Sequence, residues 1–296
     1  MSLTSLLKNK QIKEKFRQEF KKPKLGLKKE LLAPPISNRY SLVGTAFDYL
    51  FRFYLERLNP NAIAFEWFVD SSFLGFGSPF VSDLLIDVVN KTTSYQETEM
   101  GHKARRLIDN AKEQYSKYLM SGKITDELLE SILILAQIEM MRRSGRSDDN
   151  LGITHSEDIN DLRNLFAIVE PEKFVSQNIC LLNPSFGEAS KLVGGADADL
   201  LVDETLIDIK TTKNLQLKRD DFDQLLGYVA LNEISAIGSQ SPKPTISKIA
   251  IYYSRYSFLH TMNLIDIIND DTYGDFIVWF ARTAEDVKKM SRFTNN

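Results

Sequence analysis

One stretch of the chain, residues 194–212, constrains its fold more than any other. Its sequence is GGADADLLVDETLIDIKTT, two short apolar runs joined by the acidic pair Asp203-Glu204. Residues two apart on a strand share a face, and so do cross-strand partners. A β-hairpin with a symmetric turn at the acidic pair therefore sets Asp199 opposite Asp208. A three-residue turn with a bulge would shift this pairing by one residue, whereas the alternation of apolar residues favours the symmetric turn.

The symmetric hairpin gathers charged side chains on one side of the sheet. They are three carboxylates and one ammonium: Asp197, Asp199, Asp208 and Lys210. Such a group is unsuited to a core, whereas carboxylate oxygens suit a hard cation such as Mg²⁺. The sequence therefore predicts a metal site with Asp199 and Asp208 as ligands. Asp197 is a neighbouring acid, or the ligand itself if the register differs. The alternative is a surface ladder of ion pairs on an edge hairpin.

The chain divides into three parts. Residues 1–40 form a basic arm, residues 41–150 are mainly helical, and residues 151–296 contain the strands and a C-terminal helical segment. Apolar spacing predicts helices at 41–58, 95–121, 125–143, 156–167 and 220–234. It predicts strands at 173–182, 191–202, 205–211 and 247–254. The last helix acts as a crossover that makes the final strand parallel to the one ending at Lys210. We therefore predict an α/β fold of the mixed α+β type.

Composition bounds the class of protein. Hydrophobic residues make up 43% and charged residues 26%, which is ordinary for a soluble globular chain. The single cysteine, Cys180, excludes an internal disulfide and a cysteine-ligated iron–sulfur cluster, and it fits a reducing compartment. No segment has the apolar length of a signal peptide or a membrane span. We therefore expect a cytoplasmic protein without a membrane partner.

The charge distribution favours a polyanionic partner. The net charge is −3, but residues 8–29 carry ten basic side chains against two acidic ones, a local charge of +8. A basic arm on an acidic body is typical of binding to a phosphate backbone. The alternative is a solvated helix whose lysines serve solubility.

With these elements placed, the sequence resembles the PD-(D/E)XK nuclease superfamily, which has the restriction-endonuclease-like fold. The signature of that family is an acid on the second core strand, followed by Asp or Glu, any residue and Lys on the next strand. Asp199 matches the first acid, and Asp208-Ile209-Lys210 matches the rest. The proline that names the motif is absent, because Ala198 precedes Asp199.

The resemblance extends to the RecB-like branch of that superfamily. A glutamine and a tyrosine four residues apart mark this branch, and Gln224-Leu-Leu-Gly-Tyr228 matches them. The predicted helix that begins at Ser41 is similar to the first helix of the branch. That helix often carries a histidine in the family, and Phe47-Asp48 stands in its place here.

The resemblance implies a nuclease that depends on Mg²⁺, for which Mn²⁺ could substitute. The expected substrate is nucleic acid, most simply DNA. Asp199, Asp208 and the backbone carbonyl of Ile209 would hold the metal. Lys210 would orient or deprotonate the attacking water, and Gln224 would hold the lysine or the water.

The resemblance also implies an acid from the preceding helix. Asp161 is the first candidate for this further metal ligand, followed by Asp158, Glu139 and Glu170. The candidates for substrate contact are Tyr228, Lys213, Lys21 and Lys22. For each of these residues the alternative is an ordinary surface side chain.

A second class of function stays open alongside the nuclease. A nucleic-acid-binding or scaffold protein could keep this fold without cutting, although the intact Asp199, Asp208, Lys210 and Gln224 set argues against it. A third possibility is a regulated nuclease that needs a partner protein or a second copy of itself. Repair and defence are the processes in which family members of this kind serve.

Overall fold

The computed structural model describes residues 2–65 and 99–293. Its helices are α1 Leu3–Leu6, α2 Lys10–Glu19, α3 Tyr40–Leu58, α4 Glu99–Ser121, α5 Asp126–Ser144, α6 Ser156–Ala167, α7 Gly187–Val193, α8 Arg219–Ile234 and α9 Asp270–Phe293. Its strands are β1 Ala62–Ala64, β2 Cys180–Leu182, β3 Leu200–Val202, β4 Thr205–Lys210, β5 Lys248–Tyr253 and β6 Phe258–Asn263. The predicted mixed α/β class is confirmed.

The six strands form one sheet in chain order, β1 to β6. The pairs β1/β2 and β4/β5 are parallel, and the other three neighbouring pairs are antiparallel. Helix α8 connects β4 to β5, as predicted for a crossover to a parallel strand. In the hairpin, Leu201 lies opposite Leu206 and Val202 opposite Thr205, so the symmetric register is confirmed.

The hairpin turn is stabilised by a side chain rather than by glycine. Asp203 has φ of +50°, a left-handed conformation that aspartate tolerates better than most residues. Its carboxylate accepts hydrogen bonds from the backbone N–H groups of residues 177–179, at 2.7 to 3.2 Å. These bonds lower the pKa of Asp203 although burial opposes them. The acidic turn is therefore held by the chain that leads into β2.

Several element boundaries differ from the prediction. Of the predicted strand 173–182, only Cys180–Leu182 forms a strand of the sheet. Residues 191–193, predicted as part of the first hairpin strand, belong to α7. Gly194, with φ of +80°, terminates this helix, and the strand begins at Leu200. Strand β6 pairs antiparallel with β5 and is not anticipated by the sequence pattern. Residues 95–98 of the predicted helix 95–121 lie outside the described residues.

Helices cover both faces of the sheet. Leu200 and Ile207 pack in one apolar cluster with side chains of α3 to α6, whereas Leu201 and Leu206 pack in a second cluster with α1, α2, α8 and α9. Neighbouring residues of β3 and β4 thus alternate between two buried faces, which explains their nearly continuous apolar sequence. None of the helices in residues 2–65 and 99–293 is apolar over enough length to cross a bilayer.

The basic segment is anchored by its apolar side chains. Leu3, Leu6, Ile12, Phe16 and Phe20 are all buried in the second cluster. The ring centroid of Phe16 lies 5.2 Å from that of Phe276 in α9. Helices α1 and α2 therefore form part of the layer that covers the sheet, and the lysines of α2 lie on its outer side.

Candidate active site

A cleft of about 970 Å³ opens where the hairpin meets α3, α5 and α8. Eight of the residues singled out in the sequence line it: Glu139, Asp197, Asp199, Asp208, Ile209, Lys210, Gln224 and Tyr228. The N-terminal residues of α1 and the middle of α3 complete its walls. The hairpin and α8 therefore bring the matched motif into one place.

Asp199 and Asp208 lie side by side at the bottom of this cleft. The Oδ2 atom of Asp199 accepts the Ile209 N–H at 2.6 Å, which sets its carboxylate against β4, one residue from Asp208. Burial is the main cause that raises the pKa of Asp199 to about 6, and the charge of Asp208 raises it further. Burial also raises the pKa of Asp208. Two buried carboxylates that disfavour each other's charge are a place where a cation would be stabilising.

Lys210 provides the positive charge of the site. Its Nζ lies 2.7 Å from Asp208 Oδ2 and 3.8 Å from Asp221 Oδ1 on α8. Burial opposes the lysine's charge, but Asp208 and Asp199 outweigh it and raise the pKa of Lys210. The side chain is therefore an ammonium, suited to stabilising negative charge, and it is a poor proton acceptor while both carboxylates remain ionised beside it.

Asp48 on α3 is a further carboxylate in the cleft that the sequence reasoning did not choose. Its Oδ2 pairs with Arg52 at 2.6 Å, while its Oδ1 is buried and has no hydrogen-bond partner among the described residues. Burial outweighs Arg52 and raises the pKa of Asp48 to about 7, and Asp199 adds to the shift. The signal available in the sequence was an acid four residues before an arginine on a predicted helix, a spacing that allows the two side chains to pair.

Of the four acids considered as an additional ligand, Asp161, Asp158, Glu139 and Glu170, only Glu139 lines the cleft. It accepts a hydrogen bond from the Tyr49 hydroxyl at 2.7 Å and pairs with Arg143. Its two oxygens thus already have partners, which favours a role in holding the wall of the cleft.

Asp161, the first candidate in the sequence, is not in the cleft. Both its oxygens accept from the buried guanidinium of Arg255, at 2.8 and 3.0 Å. Asp158 bonds Ser37 at 2.5 Å and also pairs with Arg39, and Glu170 bonds Lys173 and Ser257. The structure does not bring these three acids to Asp199 and Asp208, because each is held by a partner elsewhere.

Gln224 and Tyr228 form a unit on α8. The Gln224 amide donates to the Tyr228 hydroxyl at 2.8 Å, and the Tyr228 ring stacks on Phe186 with centroids 5.3 Å apart. Gln224 is therefore bound to Tyr228 rather than to Lys210. Gly227, between them, allows α1 to approach, since a Cβ there would lie 3.1 Å from the Leu3 side chain.

The lysines predicted to contact substrate lie outside the cleft lining. Lys213 is exposed at its rim, with Nζ 5.6 Å from the centroid of the Tyr40 ring. Lys22 donates to the carbonyl of Leu217 at 3.0 Å, and Lys21 is exposed beside it. The basic arm therefore approaches the segment before α8 and does not itself line the cleft.

The cleft carries more negative than positive charge. Five carboxylates line it, from Asp48, Glu139, Asp197, Asp199 and Asp208, against three cations, from Arg52, Arg143 and Lys210. Within the described ranges no group of three or more His, Cys, Asp or Glu side chains is arranged to hold a metal. Mg²⁺ usually takes only one or two carboxylates and completes its shell with waters and phosphate oxygens. The excess negative charge and the unbonded Oδ1 of Asp48 therefore fit such an ion.

Comparison with known proteins adds no assignment to this geometry. No family model, curated protein or solved structure matches the chain.

Proposed function

We propose that the protein is a Mg²⁺-dependent nuclease that hydrolyses phosphodiester bonds of nucleic acid, with DNA as its first substrate, on a core of the restriction-endonuclease type. One observation carries the proposal: Asp199, directly before β3, and Asp208, in β4 of the same hairpin, meet in a cleft with Lys210 beside them. Mn²⁺ is the expected substitute for Mg²⁺. The cytoplasmic location stays a prediction.

Asp199 and Asp208 would hold the metal from two sides. The backbone carbonyl of Ile209 is the third oxygen in the proposal. In a strand the N–H and C=O of one residue point to the same side. The Ile209 N–H reaches Asp199, so its carbonyl faces the same region. When bound, Mg²⁺ would offset charge on the phosphate oxygens and make a bound water more acidic.

Lys210 acts on the charge that develops during cleavage. As an ammonium beside Asp208, it would donate hydrogen bonds to a phosphate oxygen as negative charge builds there. With the carboxylates neutralised, the pKa of Lys210 falls, which also allows it to orient or deprotonate the attacking water. Gln224, held by Tyr228, would position the lysine or the water at the edge of the cleft.

The second candidate function is a nucleic-acid-binding or scaffold protein that does not cut. One observation favours it: the ion pair between Lys210 and Asp208 balances the charge of Asp208 without any metal. Such a pair is also what a purely structural site would contain. A dependence on a partner protein or on a second copy stays a prediction for either function.

A cleavage screen separates the two functions. Purified protein is incubated with single-stranded, double-stranded and nicked DNA and with RNA, in Mg²⁺, Mn²⁺ or EDTA. We expect cleavage in Mg²⁺, none in EDTA, and a loss of at least about 100-fold in Asp208→Asn and Lys210→Met, since each removes a group that acts on the developing charge.

The matched control is Asp220→Asn, which makes the same change on an exposed acid of α8 outside the cleft. It should cut like the wild type. If the wild type binds nucleic acid but cuts no substrate with either metal, the binding or scaffold function is correct.

A further inference from the structure

A second cleft of about 810 Å³ adjoins the first. Tyr40 and Ser41, the first residues of α3, line both clefts, so the two meet at the start of this helix. The second cleft is bounded by the C-terminal half of α5 and the loop that follows, including Met140, Arg146 and His155.

Tyr40, at the border of the two clefts, is unusual in its exposure. Tyr40 is 48% exposed, and every other Phe, Tyr and Trp whose burial the structure describes is less exposed. The ammonium of Lys213 lies 5.6 Å from the centroid of its ring. An exposed aromatic ring next to a cation is the arrangement on which an unpaired base stacks while its phosphate is neutralised.

The two clefts differ in charge. The first is acidic, as a cation site requires, whereas the second has Arg39 and Arg146 against Asp148, with His155 also in its wall. Arg39 also pairs with the buried Asp158, which offsets its charge, and Arg146 is the exposed arginine of this wall. A nucleic acid chain that crosses from the second cleft to the first would meet Arg146 first and the proposed metal site second.

We propose that these features bind a single strand of nucleic acid. One base stacks on Tyr40, the backbone lies near Arg146 and Lys213, and the next phosphate enters the acidic cleft. A duplex would not use Tyr40 in this way, because the faces of its paired bases are already stacked on each other. This inference rests on the proposed nuclease function, and it narrows the substrate to single-stranded DNA or RNA.

Binding in EDTA tests the inference without any cutting. Fluorescence anisotropy of a labelled single-stranded oligonucleotide and of the matching duplex is measured for the full chain. Tyr40→Ala should weaken single-strand binding about tenfold, the scale of one lost stacking contact, and leave duplex binding nearly unchanged. Tyr40→Trp should retain single-strand binding, which separates stacking from a general disturbance. Because the ring is exposed, Tyr40→Ala should unfold at the wild-type temperature.

A second pair of variants tests the role of the basic side chains in binding. Arg146→Gln should weaken binding and reduce its salt dependence by about one phosphate contact. Lys289→Gln, on the exposed surface of α9, should change neither.

Three results would each overturn the inference. They are a single-strand affinity of Tyr40→Ala equal to that of the wild type, an equal loss of affinity for both substrates, and the absence of any single-strand binding by the wild type. Asp208→Asn should bind the single strand at least as well as the wild type while failing to cut it. The failure of this inference is therefore distinguishable from the failure of the proposed nuclease function.

Discussion

Asp48 should make the stability of the protein fall as the pH rises towards neutrality. Its pKa is raised from the ordinary value of 3.8 to about 7 in the folded chain, mainly by burial. Between these two values the folded state keeps a proton that the unfolded state has lost. The free energy of unfolding therefore decreases by about 1.4 kcal/mol per pH unit in this interval, or about 4 kcal/mol in all. This contribution is complete below pH 3.8 and is lost above pH 7.

Asp48→Asn isolates this effect because asparagine has the same shape and does not titrate. Between pH 5 and 7 the wild type should lose about 2.5 kcal/mol more than the variant. Asp199, with a pKa of about 6, contributes a slope of the same sign to both proteins. Urea unfolding in EDTA at pH 5, 6, 7 and 8 measures the difference.

The control for this series is Asp220→Asn, whose side chain is 74% exposed and forms only a surface pair with Lys13. Its pH profile should run parallel to that of the wild type. Parallel profiles for Asp48→Asn and the wild type would refute the reasoning, since they would mean that Asp48 is already ionised at pH 5 in the folded chain.

Three further predictions concern residues around the cleft. Asp161→Asn should lower the free energy of unfolding by about 3 to 5 kcal/mol, because it leaves the buried Arg255 without its counter-charge. Calorimetry should find the Mg²⁺ affinity of this variant unchanged. A loss of Mg²⁺ binding at unaltered stability would contradict this structural role of Asp161. Gly227→Ala should lower the free energy of unfolding, measured in urea, by about 1 to 3 kcal/mol, because the added Cβ would lie 3.1 Å from the Leu3 side chain. An unfolding midpoint equal to that of the wild type would show that Leu3 moves aside without loss of stability. Replacing Lys21 and Lys22 by glutamine should flatten the salt dependence of nucleic acid binding measured by anisotropy; an unchanged slope would mean that the basic arm only solvates the surface.

The hairpin and its register were predictable because they depend on local rules. The order of residues along the hairpin fixes which side chains share a face, and a one-residue shift would have placed Asp199 and Asp208 on opposite faces of the sheet. The crossover from β4 to β5 followed from the helical pattern between them. What the sequence could not show is that Asp203 holds the turn through residues 177–179, which is a contact between distant segments.

The remaining site residues depend on tertiary packing. Asp161 has the spacing of a helical acid, but only the fold shows that Arg255, far along the chain, takes both its oxygens. Asp48 lies on α3, a helix whose other residues are mainly apolar. It comes near enough to Asp199 to affect its own pKa only because α3 packs beside the hairpin, and the sequence does not show this packing. Strand β6 lies at the end of the sheet and mixes polar and apolar residues, so it lacks the clear alternation that would predict it.

Mg²⁺ binding measured by calorimetry at pH 8 tests most directly whether Asp199 and Asp208 share a cation. We predict one saturable site in the wild type, a loss of at least about tenfold in affinity for both Asp199→Asn and Asp208→Asn, and wild-type affinity for Asp220→Asn. Equal binding by all four proteins, or no binding by the wild type even with a single-stranded oligonucleotide present, would contradict the proposal.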